Sequence, residues 1–404
     1  MPREPAEAGS THHDRQADPM KIALVRQKYS DFGGAERYLA SLAQCLAASE
    51  HEIHLFSSGW KKKETPGTGP RGITFHHVPV VTGLSVLEVL SFALNARRLL
   101  KSEPFDIIHS FERTIYQDVF RAGDGCHREW LKQRKKIDPW YKIIFNAFNP
   151  LNFALLWIEG RIFAEGNYRM IIANSKRGKE EIMKLYGVPD EKIRVIYNPV
   201  ETDRFRSREA IENSRLIRKT LNIAPEDRVL IFVGSGFRRK GVAAAIRAMA
   251  RLGKGTHLIV VGKDSVASYR SLAVKLGVGP AVHFVGPVSD VEKYYQASDV
   301  LVFPTIYEPF GNVCLEALAA GIPVVTTRIC GAAEMLEEGK NGYVVEDPLD
   351  DREIAEKVKK ALELDRGSME EVNDRLLQHF TWEWHVNKIL DIYDHLDRMK
   401  NGHA

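Results

Sequence analysis

The sequence predicts an α/β protein of two Rossmann-like domains facing a cleft, followed by C-terminal helices. Three observations carry this. Short apolar runs alternate with helical patterns along nearly the whole chain; the rhythm stops near residue 200 and restarts at 228; and no run reaches the length of a membrane-spanning helix.

The elements follow in order. KIALVRQ (21–27) is a short run suited to a strand covered on both faces, and the helix after it places Leu39, Leu42, Ala43 and Leu46 on one stripe. EIHLFSS (52–58), ITFHHVPV (73–80), FDIIHS (105–110), YRMIIANS (168–175) and KIRVIYNP (192–199) read as further strands, with a helix over 84–101. In the second half the strands are RVLIFVGSG (228–236), HLIVVGKD (257–264), VHFVGPV (282–288), DVLVFP (299–304) and PVVTT (323–327), and helices fill 351–400. The boundaries are a disordered polar extension at 1–19, an N-terminal domain at 20–198, a C-terminal domain at 199–380, and a last helix, 381–404, packing back on the N-terminal domain.

Composition narrows the function classes. Among 404 residues, 57 Lys+Arg face 53 Asp+Glu, so a formal net charge of +4 gives no global reason to expect nucleic acid as a partner. Cys45, Cys126, Cys314 and Cys330 are scattered without metal-ligand or disulfide spacing, which points to a reducing compartment and no metal site. Residues 1–19 have no apolar central run of the kind a secretory signal needs, and the expectation is a cytoplasmic protein.

Open parallel sheets bind ligands beyond the carboxyl ends of their strands, so the loops at 27–34, 110–127, 234–241 and 304–313 are the places to look. The most informative is Glu308-Pro309-Phe310-Gly311-Asn312-Val313-Cys314-Leu315-Glu316. It leaves a buried strand and opens a helix whose first residues, Phe310 to Val313, offer unpaired N–H groups to an anion or to sugar hydroxyls. Glu308 sits on the loop and Glu316 about one turn into the helix. Carboxylates suit paired sugar or ribose hydroxyls, which both donate. Helix capping and dipole compensation are the alternative role for either acid.

Arg239 and Lys240 follow the strand LIFVGSG beside a glycine-containing turn, a pairing suited to a diphosphate, whereas a solvated basic turn is the plainer fate of an RRK run. Gly33-Gly34 lies between the first strand and its helix without the G-x-G-x-x-G fingerprint, so a nicotinamide site is unsupported. In RAGDGCHREW (121–130), a Gly-Asp-Gly turn precedes a histidine, and Asp124 and His127 are candidates for an acceptor-side loop.

These residues resemble the retaining GT-B glycosyltransferases of family 4 over about residues 20–385. The resemblance rests on Glu308 and Glu316 with Pro309-Phe310-Gly311 between them, on Phe32-Gly33-Gly34, on Asn174-Ser175, on Arg239-Lys240-Gly241 and on GAAEMLEEGKNGYVV (331–345). It implies that Glu308 faces the donor sugar, Glu316 holds the ribose hydroxyls, Lys240 and Arg239 bind the diphosphate, and Gly33-Gly34 approach the donor phosphates. Where many members carry Arg after the Val-Gly of the first C-domain strand, this chain has Ser235, leaving Arg238 or Arg239 to supply the charge. Many members also place a histidine after the strand matching FDIIHS; here His109 and Phe111 compete for that place. The implied chemistry uses no cofactor and no metal, and the chain has no D-x-D. The donor substrate is a nucleotide-diphosphate sugar, with a UDP-sugar as first choice.

Residues 127–163 hold seven Lys/Arg against three acids, interleaved with Trp130, Trp140, Tyr141, Phe145, Phe148, Phe153 and Trp157. Such a mixture suits helices lying on an anionic membrane surface, assigned to 128–148, while packing into the N-domain core is the alternative and the fate expected of 151–163. With KYSDFGGAERY this segment looks like that of lipopolysaccharide-core glucosyltransferases acting on inner-core heptose. The expectation is therefore hexose transfer to a lipid-linked saccharide acceptor of lipopolysaccharide inner-core type, peripherally on the inner face of the cytoplasmic membrane. Another lipid-linked glycan or a soluble acceptor is the alternative, and a non-catalytic nucleotide-sugar-binding protein lies further off.

Overall fold

The computed structural model describes residues 19–27, 34–59, 72–207 and 209–400; Lys28 to Gly33, and all of the 1–19 extension except Pro19, lie outside them. Two wholly parallel sheets form the frame. The first contains β1 (Lys21–Val25), β2 (Glu52–Ser57), β3 (Ile73–His77), β4 (Ile107–Ser110), β5 (Val119–Arg121), β6 (Met170–Ala173) and β7 (Ile193–Val195) in the order β3-β2-β1-β4-β5-β6-β7. The second contains β8 (Arg228–Val233), β9 (Thr256–Val261), β10 (Val282–Gly286), β11 (Val300–Phe303), β12 (Val324–Thr327) and β13 (Gly342–Val345) in the order β10-β9-β8-β11-β12-β13.

Helices cover the first sheet as α1 (Gly34–Ala48), α2 (Ser85–Leu100), α3 (His127–Arg134), α4 (Trp140–Ala147), α5 (Pro150–Ile162) and α6 (Lys176–Tyr186). The second sheet carries α7 (Thr202–Phe205), α8 (Ala210–Thr220), α9 (Phe237–Lys240), α10 (Val242–Ala250), α11 (Ala267–Lys275), α12 (Val291–Gln296), α13 (Asn312–Ala319), α14 (Asp351–Leu362) and α15 (Arg366–Leu377), and α16 (Trp382–Lys400) ends the described chain.

Every strand anticipated from the sequence is present, and two were not anticipated. β5 is three residues set in the polar stretch TIYQD…AGDG, too short to show a period, and only its pairing between β4 and β6 makes it a strand. β13 follows a polar turn and exists because it extends β12 at the sheet edge. The central strands β1 and β8 are buried along nearly their whole length, as strands covered on both faces must be.

The C-terminal helix returns to the first sheet. Val386, Ile389, Ile392, Tyr393 and Leu396 share one apolar cluster with Ile22 and Leu24 of β1 and Leu39 and Leu42 of α1. His385 accepts at Nε2 from the Tyr38 hydroxyl (2.6 Å) and donates from Nδ1 to the Tyr197 carbonyl (2.7 Å). Burial, with the Arg121 charge, holds its imidazole down at about 3, so it is the neutral ring whose tautomer these partners select.

The Tyr393 side chain is fully buried and its hydroxyl lies 2.6 Å from Nδ1 of His109. Tyr393→Ala is expected to lower unfolding stability by about 3–5 kcal/mol. Tyr393→Phe, which deletes only the hydrogen bond, should cost about 1–2 kcal/mol. Chemical denaturation of the two variants measures this; equal losses would mean that packing on α16 is not what matters there.

Candidate functional site

The loops that leave the strand ends of both sheets meet between the domains. From the C-domain, Tyr307 reaches across: its hydroxyl accepts from the Cys126 N–H (2.8 Å) and donates to Glu181 Oε1 (2.6 Å) of α6. Gly125 adopts φ +70°, and a Cβ there would stand 2.3 Å from that hydroxyl, so the second glycine of the Gly-Asp-Gly turn is required by Tyr307. Nearby, Ser175 Oγ donates to the Pro309 carbonyl (2.8 Å), and Asn198 Nδ2 donates to Asn312 Oδ1 (2.5 Å).

Glu308, the residue after Tyr307, faces this junction. Arg239 Nη1 donates both to Glu308 Oε2 (2.8 Å) and to the Tyr307 carbonyl (2.7 Å), while Lys240 Nζ stands 3.7 Å from the same carboxylate oxygen. Room for Lys240 comes from Gly234, at φ +135°, where a Cβ would lie 2.5 Å from Nζ. The three residues singled out from two distant motifs therefore form one charged cluster.

Opposite this cluster is an open pocket of about 350 Å³, walled on one side by Arg113, Asp124, His127 and Trp130 and on the other by Arg239, Glu308 and Pro309. Asp124 and His127 thus share a cavity with Glu308. His127 lies at the first turn of α3, its backbone N–H held by Glu159 Oε2 (2.5 Å). Its Nε2 donates to Asn152 Oδ1 (3.1 Å), an orientation set by Asn152 Nδ2 donating to the Asn146 carbonyl. Burial and the Arg113 charge push this imidazole below the ordinary histidine range, which leaves Nδ1 with a free lone pair at neutral pH. Asp124 is half exposed and 3.7 Å from Arg26 Nη1.

Glu316 lies one turn into α13, with Oε2 accepting from the Tyr295 hydroxyl (2.9 Å). Burial raises its carboxyl above the usual glutamate value; the Tyr295 bond and the Arg37, Arg204 and Lys240 charges pull the other way. A carboxylate so placed, with one oxygen engaged, can accept from a ligand hydroxyl with the other.

The other candidates divide. Gly33 lies outside the described residues, and Gly34 is the first residue of α1. Gly311, at φ +98°, is needed by the turn itself, because a Cβ would meet Cys330 Sγ at 2.7 Å. The Phe310 ring is buried in the C-domain core, leaving only its backbone to serve the site. Asn312 begins α13 with its side chain bound by Asn198, and Val313 packs half-buried on the same core. Ser235 Oγ accepts from the Lys263 N–H (3.1 Å), so its hydroxyl stabilises the turn after β8. Arg238 does not join Arg239 at Glu308: it pairs with Asp138 of the N-domain (2.7 Å). His109 and Phe111 are both core residues, and the wall they competed for is occupied instead by Arg113.

Sequence reasoning missed Arg113, Trp130, Glu181, Tyr295, Asn198 and the role of Tyr307. Arg113 and Tyr307 at least lie on loops named in advance; Asn198, Glu181 and Tyr295 stand in the linker and in helices, where no pattern sets them apart. Among the described residues no cluster of three His, Cys, Asp or Glu side chains is placed to hold a metal ion.

Residues 32–204 match the family model for Glycosyltransferase Family 4, and residues 213–376 that for Glycosyl transferases group 1. The lipopolysaccharide glucosyltransferase WaaG of Escherichia coli (strain K12) is 30% identical over 348 residues, spanning 85% of this chain and 90% of the relative. The chain belongs to the group 1/family 4 glycosyltransferases. The fold of this glycosyltransferase is GT-B: the crystal structure of WaaG superposes with a TM-score of 0.76 at 26% identity, covering 92% of this chain and 99% of the other. A D-inositol 3-phosphate glycosyltransferase of Catenulispora acidiphila is 32% identical over 369 residues, spanning 81% of this chain and 83% of the relative, so similar chains are named for different acceptors.

One carboxylate at the domain junction reports on pH. Glu334 of the C-domain accepts from the Lys176 N–H at the start of α6 (2.9 and 3.2 Å), and burial raises its carboxyl to about 7. In the unfolded glycosyltransferase this proton leaves near 4.5, so the folded state holds more protons between those values. Stability contributed here is full below pH 4.5 and is lost as pH rises through about 7. Glu334→Gln should therefore gain thermal stability relative to wild type between pH 5 and 8; parallel melting profiles across that range would contradict the assignment.

Proposed function

We propose that the protein is a retaining glycosyltransferase that moves a hexose from a UDP-sugar, with UDP-glucose as first choice, to a lipopolysaccharide inner-core-type acceptor at the cytoplasmic membrane face. The observation that carries it is the cluster of Glu308, Arg239 and Lys240, set across a pocket from Asp124 and His127, with Glu316 one turn into the helix that follows. The named relative in Escherichia coli supports the acceptor class.

In this reading Glu316 accepts from the ribose hydroxyls of the nucleotide and Lys240 and Arg239 neutralise its diphosphate. As the anomeric carbon–oxygen bond breaks, the same two cations stabilise the leaving diphosphate. Glu308 orients the sugar and stabilises the positive charge at its anomeric carbon. The acceptor hydroxyl enters from the pocket on the same face, and the departing phosphate oxygen takes its proton. Asp124 and neutral His127 accept from neighbouring hydroxyls of the acceptor sugar, which orients the attacking one toward the anomeric carbon.

The surface next to the pocket supports docking to a lipid-linked acceptor. No residue of α4 is buried, and Trp140, Phe145 and Phe148 are 74, 76 and 78% exposed. Lys132, Lys135, Lys136 and Lys142 are exposed around them. Exposed aromatics interleaved along the chain with exposed lysines fit the interface of an anionic bilayer. α5 divides its faces, burying Ile158 and Ile162 while Phe153 and Trp157 stay exposed. Among the described residues no helix is long and apolar enough to cross a membrane.

A panel of UDP-, GDP- and ADP-sugars, scored by thermal shift, tests the donor. A UDP-sugar is expected to stabilise the wild type and Glu316→Ala to lose that response; indifference to every nucleotide sugar sinks the transferase reading. Sedimentation with anionic and neutral vesicles tests the surface. A variant with Lys132, Lys135, Lys136 and Lys142 changed to Gln should lose binding to anionic vesicles at low salt, Arg134 being spared because it is tied to Asp138. Equal sedimentation of the two proteins would remove the membrane contact.

A further inference from the structure

Asp138 lies in the turn between α3 and α4, with its side chain only 1% exposed. Three groups converge on its carboxylate: Arg134 Nε of α3 at 2.7 Å, Asn146 Nδ2 of α4 at 2.9 Å, and Arg238 Nη2 of α9 at 2.7 Å. Arg238 Nη2 also donates to the Ile137 carbonyl (2.6 Å). One guanidinium of the C-domain is thus fastened to the turn that joins two helices of the basic, aromatic face.

A buried carboxylate is tolerated when cations and N–H donors satisfy it, and removing one partner is costly. Part of the charge compensation comes here from the other domain, through the Arg238 ion pair. Arg238 is followed at once by Arg239 and Lys240, the two cations on Glu308, within a single helical turn. Whatever holds Arg238 therefore constrains where its two neighbours stand. Arg238 itself is engaged by a carboxylate and a carbonyl, so its contribution is anchorage.

We propose that Asp138 is a positioning residue for the donor site: through Arg238 it holds the turn bearing Arg239 and Lys240, so that docking of α4 on an anionic bilayer and binding of a nucleoside diphosphate reinforce one another. The inference rests on the membrane and nucleotide-sugar reading above and adds the linkage between its two halves. Such linkage is reciprocal: if vesicles tighten the nucleotide, the nucleotide tightens vesicle binding by the same factor.

The test measures UDP affinity of the full chain by calorimetry, alone, with phosphatidylcholine vesicles, and with phosphatidylcholine–phosphatidylglycerol vesicles. For the wild type, the anionic vesicles should lower the UDP dissociation constant about fivefold or more, with neutral vesicles inert. Asp138→Asn should weaken UDP binding about tenfold and abolish the vesicle effect. Arg238→Gln, at a side chain 42% exposed, should do the same while Arg134 and Asn146 stay on the Asp138 carboxylate, and the double variant should be no worse than either single one. A merely structural Asp138 would lower the melting temperature and leave UDP affinity and its response to vesicles intact, which overturns the proposal. So does a wild type that binds both UDP and vesicles independently. A wild type that binds UDP but no vesicles overturns it together with the membrane contact, and one that ignores UDP overturns it together with the donor assignment.

Discussion

The site depends on the Tyr307 hydroxyl being buried in the opposite domain. Its partners, the Cys126 amide and Glu181, belong to the N-domain, and Tyr307 is covalently adjacent to Glu308. Cys126 in turn is adjacent to His127 and two residues from Asp124. The separation between the C-domain carboxylate and the pocket wall is therefore set by a hydrogen-bonded side chain and not by the linker between domains. Burial pushes both the Tyr307 hydroxyl and the Glu181 carboxyl upward, and the bond between them is one that neither group can leave cheaply.

Around that contact the charges are arranged so that little is unpaired until a ligand arrives. Glu308 is matched by Arg239 and Lys240, Glu316 by Tyr295, and Asp138 by arginines from both domains. In the proposed function, an incoming diphosphate would compete with Glu308 for the same two cations, and the sugar it carries would occupy the space Glu308 faces. The local concentration of positive charge, and not the small net charge of the chain, is the electrostatic property that matters.

The basic, aromatic stretch gains a more definite meaning. Read as a string it was a candidate surface helix; in the fold it is three helices with different fates. α3 lines the pocket through His127 and Trp130, α4 buries nothing, and α5 anchors both through Ile158 and Ile162. The exposed aromatic patch and the pocket wall are thus parts of one short region of chain.

The sequence by itself determined the α/β class and nearly all the strands, and it singled out Glu308, Glu316, Arg239 and Lys240 as candidates, because these signals are local: continuous apolar runs, and polar groups on the loops and helix starts that follow a strand. The strands β5 and β13, the core fate of His109, the demand for glycine at 125 and the diversion of Arg238 to Asp138 were decided only in three dimensions. Each depends on a partner roughly twenty to almost three hundred positions away. A residue's own spacing carries no record of what the other domain will place against it.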